Sequence, residues 1–193
     1  MTNIVDAASS GDTITAQMVM GNGQRDSLKW SGRFTAELVR DGAVIWREEF
    51  DNLITTVGKN FMLDQTLAAS AYTAAEYMGL ISSTSYSAVA VGDTMTSHAG
   101  WLEAGSANAP TFAARLACVW SAASAGVKSL SAALSFTFTG TGTVQGAFIT
   151  AGSGASATIG NTGGTLFAAG AISPTRAVIS GDVLNMSYSA TLT

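Results

Sequence analysis

One cysteine, one histidine, two prolines and a charged fraction of only 11% are the scarce features of this 193-residue chain. A lone Cys118 excludes an intrachain disulfide. Its place in the apolar run LACVW (116–120) predicts a buried, inert thiol. A lone His98 with scattered carboxylates falls short of a zinc or iron ligand set. Calcium, bound through carboxylate and carbonyl oxygens, stays open on composition, although no EF-hand-type loop is present. No metal or other cofactor is expected. No run reaches the roughly 20 apolar residues a helix needs to cross a bilayer. The most apolar stretches, such as LFAAGAI (166–172), are short and rich in alanine and glycine.

Basic clusters are missing too. The net charge is −4, and the nearest approach to a cluster is Arg25, Lys29 and Arg33, interrupted by Asp26. Phosphate neutralisation needs grouped lysine and arginine, so neither nucleic acid nor an anionic membrane is an expected partner. A charged fraction near 25% is usual for soluble domains. A chain this apolar, with so little charge to cover its surface, is expected to bury surface against other copies as a homo-oligomer. A serine- and threonine-coated monomer is the alternative. The shortage is uneven, since Arg115, Lys128, Arg176 and Asp182 are the only charged residues in 104–193. The first residues, MTNIVDAASSGDTITAQ, lack a basic head and an apolar stretch. A signal peptide is therefore not expected, and the product should stay in a cytoplasm unless it leaves inside a larger particle.

What is present reads as strands. Residues 1–27 are small and polar and predict a flexible N-terminal arm. The remainder, 28–193, is expected to form a single β-sandwich domain. RFTAELVR (33–40) and AVIWREEF (43–50) are joined by Asp41-Gly42, a two-residue loop suited to a type I′ turn, so 33–50 predicts a β-hairpin. Phe34, Ala36 and Leu38 share one face of it. The period then changes, and a helix is expected over about 55–69. Thr55 or Thr56 would cap it, and Met62, Leu63 and Leu67 would extend its apolar side. EYMGLIS (76–82) predicts a buried strand. From 111 onward the segments TFAARLACVW, LSAALSFTFTG, GTVQGAFIT, GTLFAAGAI and DVLNMSYSATLT follow one another as strands separated by glycine-rich joints. In the last, Leu184, Met186, Tyr188, Ala190 and Leu192 fall on one face. The fold class is mainly β, an antiparallel β-sandwich for which a jelly-roll connection is one option, with the hairpin and one helix. The glycine-rich stretch AGSGASATIGNTGG (151–164) lacks the Gly-Lys-Ser/Thr ending of a phosphate cradle and is expected to be a flexible hairpin loop.

GDTMTSHAGWLEA (92–104) gathers an acid, hydroxyls, the single imidazole and a second acid. As a catalytic group it would use His98 as base, Asp93 or Glu103 to orient it, and Ser97 as nucleophile. Adjacent residues rarely meet in that geometry, because a triad converges from distant segments. No Gly-x-Ser-x-Gly elbow occurs elsewhere. The structural reading asks for less. Asp93 or Thr94 caps a short turn, Gly100 ends it in a backbone conformation other residues resist, and Trp101 anchors the loop to the core. His98 would then be a structural residue at which acid pH can register. Trp30, Trp46 and Trp120 are expected as core or subunit-interface anchors rather than carbohydrate platforms. Glu48 and Glu49 are consecutive and point to opposite faces of a strand, so they cannot flank one glycosidic bond. No catalytic residues are assigned, and an enzyme is not expected.

Several stretches, in order, resemble a group of small virion structural proteins of tailed bacteriophages. They are WREEFDNLITTVGKNFMLD (46–64), YMGLIS (77–82), GDTMTSHAGWLE (92–103), VQGAFIT (144–150), GGTLFAAGAIS (163–173) and RAVISGDVLNMSYSATLT (176–193). The resemblance covers most of 33–193 and leaves the arm outside. It implies a non-enzymatic particle component located in the virion, with other copies of itself and either the major capsid protein or tail proteins as partners. A capsid cement or decoration protein is the first expectation. A tail tube, tip or fibre-associated module is the alternative, and a host-glycan-binding module using exposed tryptophans comes after it. The resemblance also implies that Asp93, Thr94, His98, Gly100 and Trp101 form a shared structural signature.

Overall fold

The computed structural model describes residues 29–67 and 73–193. The expected arm at 1–27 and the end of the expected helix at 68–69 lie outside these. In chain order the elements are β1 (Trp30–Arg40), β2 (Ala43–Asp51), β3 (Leu53–Ile54), α1 (Thr56–Leu67), β4 (Glu76–Ser82), β5 (Leu102–Glu103), β6 (Leu116–Ala117), β7 (Val127–Ser129), β8 (Leu134–Thr137), β9 (Gly142–Ala151), β10 (Thr165–Val178) and β11 (Val183–Leu192). They build two antiparallel sheets packed as a sandwich. The first runs β2-β1-β11-β7, with β8 also paired to β11. The second runs β3-β10-β9-β4-β5, with β6 also paired to β4.

The hairpin begins the first sheet. Asp41 (φ 52°) and Gly42 (φ 79°) turn the chain between the paired residues Arg40 and Ala43, the two positive φ values of a type I′ turn. Alternation places Phe34, Ala36 and Leu38 on the inner face, all fully buried. Opposite them across the β1–β11 ladder stand Tyr188, Met186 and Leu184. Phe34 stacks on Phe50 at 5.1 Å and lies 4.8 Å from Tyr188. These facing pairs make one wall of the core. The apolar face of β11 holds as far as Ala190, while Leu192 emerges at 39% exposure.

In the second sheet β9 and β4 are apolar on both faces. Met78, Leu80, Ala147 and Ile149 face the first sheet and join the main core. Ile81 and Phe148 point the other way and join a second cluster with Met95, Trp101, Leu166 and Ala169. That outer face is covered by the segment between β4 and β5, which carries the His98 motif. A sheet buried on both sides explains why EYMGLIS reads as a continuous apolar run.

Helix α1 starts at the Thr55 cap, whose Oγ1 accepts the Gly58 amide at 3.0 Å. Gly58 is the buried residue of the helix, and a Cβ there would lie 2.3 Å from the Phe167 carbonyl oxygen. The helix therefore meets β10 backbone to backbone through its first turn. The expected apolar side is corrected here. Leu63 and Leu67 face solvent, because the close contact at Gly58 sets the rotation of the helix.

Two further expectations change. TFAARLACVW contributes only the two residues of β6, paired with Tyr77 and Met78. The rest is irregular, its amides spent on distant carbonyls such as Arg115 N–H to Ala157 O at 2.9 Å. Strand β10 runs on past 172 to Val178, with a register shift between Ala171 and Arg176 that accommodates Pro174. Strand β7 lies in a stretch without apolar alternation.

Candidate functional site

The His98 motif is a compact loop built on one carboxylate. Oδ2 of Asp93 accepts the Ala90 amide at 2.9 Å and the Trp101 indole N–H at 2.9 Å. Thr94 closes the turn. It exchanges backbone hydrogen bonds with Ser97, and its Oγ1 accepts the Ser97 amide at 3.0 Å. His98 stacks on Trp101 at 3.9 Å, and its Nδ1–H donates to the Trp101 carbonyl at 2.9 Å. Since that carbonyl only accepts, the neutral ring carries its proton on Nδ1. Trp101 is buried against Phe148, with ring centroids 5.2 Å apart.

Gly100 is needed for a different reason from the one expected. Its φ is not positive. Instead a Cβ would lie 2.2 Å from the Ala88 carbonyl oxygen, because Gly100 approaches the Ser87–Ala88 backbone closely enough to accept the Ser87 amide at 2.8 Å.

The structure does not bring the suspected acids to His98. Asp93 is committed to Trp101 and Ala90. Glu103 turns to Arg115, which donates Nε–H to Oε1 and Nη2–H to Oε2, each at 2.7 Å. Among the described residues the imidazole makes no hydrogen bond to a carboxylate, and no three His, Cys, Asp or Glu side chains cluster as a metal site. What the loop can do chemically is hold an indole and an imidazole fixed beside a cavity.

Arg115 is the residue that sequence reasoning missed. Its side chain is wholly buried, with its Cζ 5.3 Å from the Phe148 ring centroid. Nη2 also donates to the Asn161 carbonyl at 2.7 Å, and Glu103 Oε2 accepts the Gly160 amide at 2.7 Å. This tethers the glycine-rich connection between β9 and β10. One arginine among apolar residues in a charge-poor half was the available signal. A cavity of about 190 Å³ lies between this pair and the His98 loop.

The tryptophans divide. Trp46 is half-buried under the Arg176 guanidinium at 5.3 Å. Trp120 donates its indole N–H to the Glu76 carboxylate. Trp30 is 38% exposed and stands between two grooves. The first, about 410 Å³, is walled by Trp30, Phe61, Trp120, Val127, Phe167 and Leu192. The second, about 640 Å³, is polar and includes Trp30, Arg33, Asp51, Asn52, Lys59 and Thr191.

Cys118, expected to be buried, is half-buried against the core, because its strand neighbours lie at the edge of the second sheet; desolvation first, then the nearby Glu76 charge, pushes its thiol up to about 12. Asp182, in the β10–β11 connection, receives Arg40 Nε–H and Nη2–H at 2.7 Å each. That pairing, with the Ile179 amide, outweighs burial and holds its carboxyl below the usual range. Among the described residues no helix is long and apolar enough to cross a membrane. Comparison with known proteins finds no family model, no curated protein and no solved structure that matches this chain.

Proposed function

We propose that this chain is a non-enzymatic structural protein of a tailed-phage virion, in the first place a capsid cement or decoration protein that braces neighbouring capsid subunits. The ordered series of phage-like segments supports the particle. The apolar groove beside Trp30 is the observation that carries the contact role. Trp30 (38% exposed) and Leu192 (39%) stand side by side on paired strands at its mouth, with Phe61 and Phe167 behind. A monomer gains nothing from keeping such a surface wet, whereas a partner that covers it gains apolar burial. A standard contact buries roughly 1,600 Å² in total. Repetition over a shell multiplies modest contacts into a strong brace.

The test separates purified virions into heads and tails and counts copies against the major capsid protein. A number comparable to the capsid protein, travelling with heads, together with shells that lose heat resistance when the protein is absent, is the expected result. Copies confined to tails transfer the protein to the tube, tip or fibre. Absence from both fractions overturns the virion reading.

A second reading rests on the other side of Trp30. There the ring borders the polar groove of Arg33, Asp51, Asn52 and Lys59, an arrangement suited to stacking a sugar while hydrogen-bonding its hydroxyls. Retention on host surface polysaccharide that Trp30→Ala abolishes would support a glycan-binding module. Equal retention of the variant would reject it.

A further inference from the structure

The end of the sandwich where β1 begins and β11 finishes is an apolar mouth with a carboxylate inside it. Strand alternation aims Trp30 and Leu192 inward from the first sheet, on the faces that carry Phe34 and Tyr188. The same alternation puts Glu76 on the face of β4 that carries Met78 and Leu80, so it points between the sheets. With Phe61, Trp120 and Phe167 these residues line the groove of about 410 Å³. All six keep accessible surface. Trp30 and Leu192 are exposed, and Glu76, Phe61, Trp120 and Phe167 are half-buried. The Trp30 and Phe167 rings stand 77° apart with centroids at 6.2 Å, two walls of a corner. Trp120 donates its indole N–H to Glu76, and this neutral donor orders the carboxylate without neutralising it.

Charge and hydrogen bonding select the class of ligand. Ring faces attract a cation through their quadrupole, and Glu76 attracts it through its charge. An anion is repelled by the same carboxylate. A neutral apolar group would cover Glu76 and leave it facing hydrocarbon, which is costly. A primary ammonium brings three N–H donors and a guanidinium five, and ring walls give such donors few oxygens. A fully methylated ammonium has no N–H to satisfy, and its apolar surface packs on rings. Lys128, on the exposed rim, turns its ammonium to the Ser121 carbonyl at 3.2 Å, where solvent screens it. A volume of about 410 Å³ exceeds the roughly 300 Å³ at which pockets for small ligands begin.

We infer that this mouth is a site for a trimethylammonium group, such as that of choline. The methyls enter against Trp30, Phe61 and Phe167, the positive nitrogen lies toward Glu76, and the rest of the ligand leaves at the rim beside Leu192. The site uses the groove that carries the contact role but does not rest on the virion reading. A capsid subunit and this cation would compete for the same rings.

The test uses the full chain and ligand-observed saturation-transfer NMR. Choline is compared with ethanolamine and with the neutral analogue of choline that has carbon in place of nitrogen. The expected result is saturable binding of choline at about millimolar affinity, with the strongest transfer to the N-methyl protons and clearly weaker binding of the other two. Glu76→Gln keeps an acceptor for Trp120 but removes the charge, and should weaken choline roughly 3- to 10-fold. Trp30→Ala removes one exposed wall and should weaken it by a similar factor. The fold of each variant is checked by circular dichroism, and Trp30→Ala decides alone if Glu76→Gln does not fold. The neutral analogue binding as tightly as choline would overturn the assignment in favour of an apolar occupant, such as a side chain of a capsid subunit. Ethanolamine binding as tightly would overturn the methylated class. Absence of transfer to choline, or unchanged affinity in the folded variants, would overturn the site itself.

Discussion

Asp93 and Trp101 are joined by a 2.9 Å hydrogen bond from the indole N–H to Oδ2, and the same oxygen accepts the Ala90 amide. One buried carboxylate oxygen thus ties the start of the loop to its end. A triad needs its acid on the imidazole, and this acid is spent on the indole.

Asp93→Leu should therefore destabilise the protein by about 2 kcal/mol, since it leaves the buried Trp101 indole N–H, and the more exposed Ala90 amide, without their acceptor. Asp93→Asn keeps an amide oxygen in the same place and should cost less. Urea denaturation of the two variants, followed by far-ultraviolet circular dichroism, measures the difference. Equal losses would mean that side-chain shape matters here rather than the hydrogen bonds.

The Arg40–Asp182 pair predicts an acid-sensitive contribution. The folded-state carboxyl is held below its ordinary value, mainly by the Arg40 hydrogen bonds. Its stabilisation is thus present above the unfolded value, near about 4, and is lost as pH falls through the folded value. Arg40 is 35% exposed, so solvent screening reduces the gain. Asp182→Asn should cost about 1–2 kcal/mol at pH 7, and the gap from the parent protein should close in strong acid. Denaturation at a series of pH values checks it.

Two glycines should fail for different reasons. Gly100→Ala drives a Cβ to 2.2 Å from a backbone oxygen, which the loop cannot relieve without moving. Gly42→Ala meets nothing within 4 Å but must hold φ at +79°. The second should cost about 1 kcal/mol, the ordinary penalty of that conformation. The first should cost more and should also perturb the Trp101 indole signal, which NMR can follow.

Cys118, half-buried, should react slowly with disulfide reagents at pH 8 in the folded protein and much faster once denaturant exposes it fully. Its thiol, pushed up to about 12 by burial first and by Glu76 second, stays protonated there. The linked stability is complete below the ordinary thiol value of about 8.5 and fades as pH rises toward the folded value. Labelling of the native protein as fast as that of the denatured chain would show that these surroundings do not suppress the thiol.

Local sequence determined the elements whose signals lie within a few residues of one another. Asp41-Gly42 defines its own turn through two positive φ values. Alternation in β1 and β11 aims Phe34, Ala36 and Leu38 at Leu184, Met186 and Tyr188 because a strand's period is fixed at two. Tertiary structure decided the remainder. Whether Leu63 and Leu67 are wet depended on how closely Gly58 meets Phe167 across the helix–strand contact. The role of Asp93 depended on a covered second face of the sheet that could receive Trp101. Glu103 found Arg115 twelve residues away rather than His98 five away. Each of these is a choice among partners, and side chains choose partners only after the sheets have brought distant segments into contact.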